Sequence, residues 1–173
     1  MDERYSVSDI IEVAVEIEKN GAQFYSGFAK KCKDKAIARF FNDMAEEEKK
    51  HEKDFLAILS SIGGYQPCQA YGQEYLYYLN AVAGGYLFKS DDDFRKRVSD
   101  IDTVKDAVDF SLGIEKDSIL IYEQMKKILP DKDKPVIEMI IDQEKSHVRL
   151  IWGIRENLSK GGLYGAKNNG IQH

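Results

Sequence analysis

Proline is scarce in this 173-residue chain, with three in all. So few helix breakers, with charged residues spread among apolar ones, leave long helices as the expected structure. Cysteine is scarcer, with two, Cys32 and Cys68, too isolated for a disulfide framework or a CxxC metal or redox motif. Each is expected to be a small buried residue, and a reducing cytoplasm is the expected compartment. Basic excess is missing too: 25 Lys and Arg face 30 Asp and Glu, for a formal charge of -5. No local basic cluster offsets this, which excludes a nucleic-acid partner held by phosphate neutralisation. The densest apolar run, YLYYLNAVAGGYLF from Tyr75 to Phe88, is short and broken by Asn80 and Gly84-Gly85, so no membrane span is expected. The first residues, MDERYSVSD, show no apolar stretch after a basic start, so no secretory signal is expected. What is there, 43% hydrophobic and 32% charged residues, is globular composition in a chain long enough to bury one real core.

Four long segments place apolar residues at helical spacing. The first runs from about Ser8 to Lys33, with Ser6 or Ser8 as the cap and Ile11, Val15, Ala22, Tyr25 and Ala29 on one face. The second starts near Asp34, a capping residue, and stops at Gly63-Gly64. The third starts around Asp102-Thr103 and ends at Leu129-Pro130, and the fourth runs from near Asp133, with Pro135 in its first turn, to about Leu158. The residues from about 63 to 102 form one long connection, with a shorter helix over 73–89, a cap at Ser90 and many tyrosines that pack outside the bundle or at a subunit contact. A polar, glycine-bearing tail, 161–173, is expected to be poorly ordered. Two tight helical hairpins joined by one crossover describe an all-α four-helix bundle in a single domain, residues 1–160.

An echo runs through these helices. IEKNGAQFY (Ile17 to Tyr25) returns as IEKDSILIY (Ile114 to Tyr122), and EKKH (Glu48 to His51) returns as EKSH (Glu144 to His147). Glu18 and Glu48 are equidistant from the first hairpin turn, and Glu115 and Glu144 from the second. At a rise of about 1.5 Å per residue, each lies roughly 20 Å along its helix from the turn, near mid-bundle. Ile11, Glu18 and Tyr25 are seven apart, as are Val108, Glu115 and Tyr122, so both glutamates sit in apolar stripes. Glu48 follows Met44 by four, and Glu144 follows Ile140 by four. His51 and His147 share a face with the Glu three residues before them. Four carboxylates and two imidazoles are therefore expected to converge inside the core.

Uncompensated charge there costs several kcal/mol per group. Two divalent cations cancel the charge of four glutamates, and oxygen-rich ligation with one His per metal suits iron or manganese better than tetrahedral zinc. The alternative is six solvated or salt-bridged residues in a plain helical protein. A lone Glu-x-x-His is weak evidence against that, but two, each with a partner Glu at matching height, make coincidence a poor account. Glu from two helices with Glu-x-x-His from two others resembles the ligand set of di-iron and di-manganese carboxylate bundles.

On these residues the chain resembles the ferritin-like superfamily, and within it the rubrerythrin group, over the four long helices. The resemblance implies a ferritin-like fold in which Glu48 and Glu144 bridge two iron ions, manganese being the other candidate metal. Glu18 with His51, and Glu115 with His147, would complete the two sites. It implies a centre cycling between diferrous and diferric states while reducing hydrogen peroxide or dioxygen. Many rubrerythrins carry a rubredoxin-like domain with CxxC pairs. This sequence has none, so electrons are expected from a separate donor, a rubredoxin-like protein being the candidate. Rubrerythrins also typically carry a further Glu three residues after the third-helix ligand, where this chain has Ser118, and the remaining six-residue set is more symmetric, like that of bacterioferritin-type oxidase centres.

Tyr25 and Tyr122, two turns beyond Glu18 and Glu115, could hydrogen-bond a ligand carboxylate or supply a proton or electron; equally, each hydroxyl could satisfy some other buried group. Glu46, Glu47 and Glu52 point around the helix from Glu48 and read as solvated charge, one of them a candidate to orient His51. His173 is not expected to be a ligand. The expected function is a non-haem di-iron peroxidase or oxidase, as a homodimer. The alternatives are a ferroxidase or iron-storage protein, a di-iron hydroxylase of an organic substrate, and, least favoured, a non-catalytic module with a vestigial site.

Overall fold

The structure is a computed structural model that describes residues 7–62, 96 and 98–160. The expectations for Ser6, the helix over 73–89, the Ser90 cap, the crossover tyrosines, Cys68 and the tail with His173 lie outside these residues. Four helices carry the described chain: α1 (Val7–Lys31), α2 (Lys35–Ile62), α3 (Val104–Ile128) and α4 (Lys134–Ser159).

Their boundaries follow from local chemistry. Asp34 Oδ1 accepts the N–H groups of Ala36 (2.9 Å) and Ile37 (3.0 Å), satisfying two donors that the first turn of α2 leaves open. The Thr103 hydroxyl caps α3 in both directions, accepting from Asp106 N (3.1 Å) and donating to the Asp106 carboxylate (2.6 Å). Pro135 sits in the first turn of α4, where its missing N–H costs nothing. Ser8 lies inside α1, not before it, so it is not that helix's cap.

The apolar side chains fall into two clusters. One holds Val7, Ile11 and Ala14 of α1, Phe55 and Ile58 of α2, Ile121 and Met125 of α3, and Ile137 and Ile140 of α4. The other holds Phe24 and Phe28 of α1, Phe41 and Met44 of α2, Val104 and Val108 of α3, and Ile151 of α4. The start of α1 thus packs with the end of α2, the end of α3 and the start of α4. It follows that α1 and α4 run one way and α2 and α3 the other. The chain leaves α2 at one end of the bundle and enters α3 at the other, the topology of a bundle with one crossover. Between the two apolar clusters lies a layer of buried polar residues.

Candidate metal centre

That layer is built from one residue or motif per helix. Glu18 of α1, Glu48 and His51 of α2, Glu115 of α3, and Glu144 and His147 of α4 are all at most 4% exposed. The six candidate ligands read from the spacing are therefore brought together. They form two overlapping groups, Glu18–Glu48–His51–Glu144 and Glu48–Glu115–Glu144–His147, each with ligand atoms within 4.8 Å of one another.

Glu48 and Glu144 belong to both groups and divide their oxygens between them. Glu144 places Oε1 2.8 Å from His51 Nδ1 and Oε2 3.1 Å from His147 Nδ1. Glu48 places Oε2 3.6 Å from His51 Nδ1 and Oε1 3.8 Å from His147 Nδ1. At the ends, Glu18 Oε2 and Glu115 Oε2 each lie 3.4 Å from the Nδ1 of the histidine on their own side. Gly21 faces Glu48, whose Cγ would stand 3.4 Å from a Cβ there, so a bare backbone lets that side chain lie against α1.

Each outer carboxylate gives its second oxygen to a tyrosine from the opposite hairpin. The Tyr122 hydroxyl donates to Glu18 Oε1, and the Tyr25 hydroxyl donates to Glu115 Oε1. Of the roles open to these tyrosines in the sequence, carboxylate hydrogen bonding is the one the geometry displays. Burial and the charge of Glu115 raise the Tyr25 phenol well above its ordinary range. Burial and the charge of Glu18 do the same to Tyr122, so both remain donors at neutral pH.

The histidines turn Nδ1 inward and Nε2 outward. His51 Nε2 meets Gln143 Oε1 at 2.9 Å, and His147 Nε2 meets Glu47 Oε2 at 2.6 Å. Sequence reasoning missed both partners. Glu47 is not merely solvated: its side chain stays 44% exposed, yet its carboxylate turns from α2 onto the histidine of α4. His51 is oriented by Gln143 of α4, not by a glutamate of its own helix. The available signal was positional, since both partners stand immediately before the Glu of a Glu-x-x-His motif. Glu46 is the solvated residue expected, 66% exposed and paired with Lys49 at 2.6 Å. Cys32 is a half-buried free thiol, raised by that burial.

Protonation in the cluster reflects crowded negative charge. Burial, then the charges of Glu144, Glu18 and Glu115, raises Glu48 well above the carboxylate range. Burial, then Glu144, does the same to Glu115. Burial opposes ionisation of Glu144, but Glu115, His147 and His51 outweigh it and hold that carboxyl low. Burial would lower both imidazoles, yet the carboxylates beside them win: His51 is raised, and His147 is pushed up to about 11. The site draws in positive charge. In the first group, the buried Glu18 Oε2 and Glu144 Oε1 crowd His51 Nδ1 at 3.4 and 2.8 Å, without a well-directed hydrogen bond among the three atoms. Buried polar atoms held in this way are costly unless a cation satisfies them, so the donor set fits two divalent ions.

Ser118, three residues after Glu115, donates its hydroxyl to Ile114 O (3.0 Å) and Glu115 O (3.1 Å) of its own helix. Among the described residues, no helix is long and apolar enough to cross a membrane.

Comparison with known proteins agrees with this geometry. A search of curated proteins finds no match. Among solved structures, a candidate ferritin-like diiron-carboxylate protein from Thermotoga maritima superposes with a TM-score of 0.68 at 25% identity, covering 90% of this chain and 98% of that one. A hypothetical protein from Pyrococcus furiosus shares the fold with a TM-score of 0.66 at 18% identity, covering 92% and 94%. The Rubrerythrin family profile matches residues 9–151, a span that begins within α1 and takes in all six clustered residues. With a ferritin-like bundle around a buried carboxylate and histidine layer, the chain belongs to the Rubrerythrin family.

Proposed function

We propose that this protein is a di-iron oxidoreductase of rubrerythrin type, reducing hydrogen peroxide or dioxygen with electrons from a separate, rubredoxin-like donor. The observation that carries the reading is the division of the Glu48 and Glu144 oxygens between two sites, each completed by its own Glu and His. When bound, a ferrous pair supplies the two electrons that cleave an O–O bond. The chain does the rest. Tyr122 and Tyr25 each occupy one oxygen of Glu18 and Glu115, leaving the other oxygen to face the centre. Glu47 and Gln143 fix the rings of His147 and His51 with Nδ1 inward. The apolar clusters above and below exclude bulk water, with Phe55 packed 5.0 Å from the Tyr122 ring and Phe41 5.8 Å from that of Tyr25. A homodimer in a reducing cytoplasm, where the Cys32 thiol would persist, completes the proposal.

Stopped-flow mixing of anaerobic, ferrous-loaded protein with hydrogen peroxide tests it. Rapid oxidation, with turnover when reduced rubredoxin is added, is expected. Failure to react with peroxide or dioxygen contradicts it.

One observation favours a second reading. Ser118 spends its hydroxyl on its own helix, so the site offers six nearly symmetric ligands and no further carboxylate at that position. A symmetric centre also suits a ferroxidase that oxidises incoming ferrous ion and passes it on for storage. Storage requires a large closed shell, so sedimentation analysis separates the two: a dimer supports the peroxidase, and a shell of many subunits the ferroxidase.

A further inference from the structure

The two halves of the centre match residue for residue. Glu18 answers Glu115, His51 answers His147, and Tyr122 on Glu18 answers Tyr25 on Glu115. The match fails at the partner behind each histidine. His147 Nε2 is held at 2.6 Å by the Glu47 carboxylate, whereas His51 Nε2 is held at 2.9 Å by the neutral Gln143 amide. Two other differences in the echo do not act on the ions. Gly21 against Ser118 is neutral, and the Ser118 hydroxyl is bound to backbone carbonyls. Asn20 against the buried Asp117 stands two residues past the ligand, about 200° round α3 from Glu115 and turned away from the ligand atoms.

This charge difference has a chemical consequence. A carboxylate on the outer N–H of an imidazole polarises the ring and makes its inner nitrogen a stronger donor, and it adds a negative charge beside one ion only. A neutral amide orients its ring without either effect. From this asymmetry, and resting on the dimetal reading above, we infer that Glu47 makes the two sites unequal, so that the first divalent ion loads at Glu115–His147 and the second at Glu18–His51. Glu47 is a positioning residue that acts through His147. It sets the order of loading, and Gln143 at the corresponding place keeps the other site weaker.

Calorimetric titration of the metal-free protein with Mn²⁺ tests this without any activity measurement. Wild-type protein is expected to bind two ions in separate steps. Because the Glu47 side chain is half-exposed and Gln is its isostere, Glu47→Gln leaves the fold intact. It should weaken the first step about tenfold or more while leaving the second nearly unchanged. The reciprocal change, Gln143→Glu, should leave the first step alone and tighten the second by about the same factor. A first step that E47Q moves by less than about twofold, or a loss spread equally over both steps, overturns the inference while the dimetal reading stands. Absence of any Mn²⁺ binding by wild-type protein overturns both.

Discussion

Glu18 and Glu115 each pass one carboxylate oxygen to a tyrosine across the bundle and turn the other toward a histidine. Removing the Tyr122 hydroxyl would take from the fully buried Glu18 its one well-directed hydrogen bond, its Oε2 meeting only His51 Nδ1 at 3.4 Å. Tyr122→Phe should therefore cost the metal-free protein about 1–3 kcal/mol in urea unfolding, and Tyr25→Phe a similar amount. A loss below about 0.5 kcal/mol would mean that the hydroxyls do not hold these carboxylates. At this scale the sequence showed the six cluster residues clearly, because Glu and His in apolar stripes at matched heights break the ordinary pattern of helices. It did not show Glu47 and Gln143. Both point along the seam between α2 and α4, where a polar side chain looks like any solvated one until the facing helix is known.

Each helix is stabilised less by its own propensity than by what it presents to the bundle. Phe55, 0% exposed, anchors α2 in the apolar cluster beside the site. Phe55→Ala should cost about 3–5 kcal/mol in denaturant unfolding, and a loss under about 1 kcal/mol would contradict its place in the core. Between α3 and α4, Arg155 Nε meets Asp109 Oδ1 at 2.6 Å while Lys105 Nζ meets Oδ2 at 2.8 Å. Lys105, against the opposing effect of burial and with help from Arg155, holds the Asp109 carboxyl below its ordinary range. A depressed folded-state value stabilises the protein above the unfolded pKa of about 3.9, and that contribution is lost as pH falls through the depressed value. Because the pair is partly hydrated, Asp109→Asn should cost at most about 1 kcal/mol at neutral pH. Its difference from wild type should vanish in strong acid, and a difference that grows on acidification would reverse the assigned sign. Helix ends were legible to within a few residues wherever a side chain caps them, as Asp34 and Thr103 do. The start of α1 was not, since Ser8 is a good capping residue lying inside the helix.

At the scale of the bundle, two apolar clusters of the described residues enclose one charged layer, and the layer weakens the fold unless cations compensate it. Chelation should therefore lower the melting temperature by about 10 °C relative to protein held at a thousandfold excess of metal over its Kd. Equal melting temperatures would show that the cluster is not a metal site. The bundle and its single crossover were legible because tight turns at Lys33-Asp34 and Leu129-Pro130 separate helices of equal register. The directions of the helices, and the splitting of the core by the charged layer, emerge only once Val7 is found in one cluster with Phe55 and Phe24 in the other with Phe41.

Anomalous diffraction at the iron edge, from crystals grown with ferrous-loaded protein, would locate the ions directly. The account predicts two peaks between Glu48 and Glu144, one beside Glu18 and His51 and the other beside Glu115 and His147. No peak within the bundle, with iron found only on surface carboxylates, would contradict it.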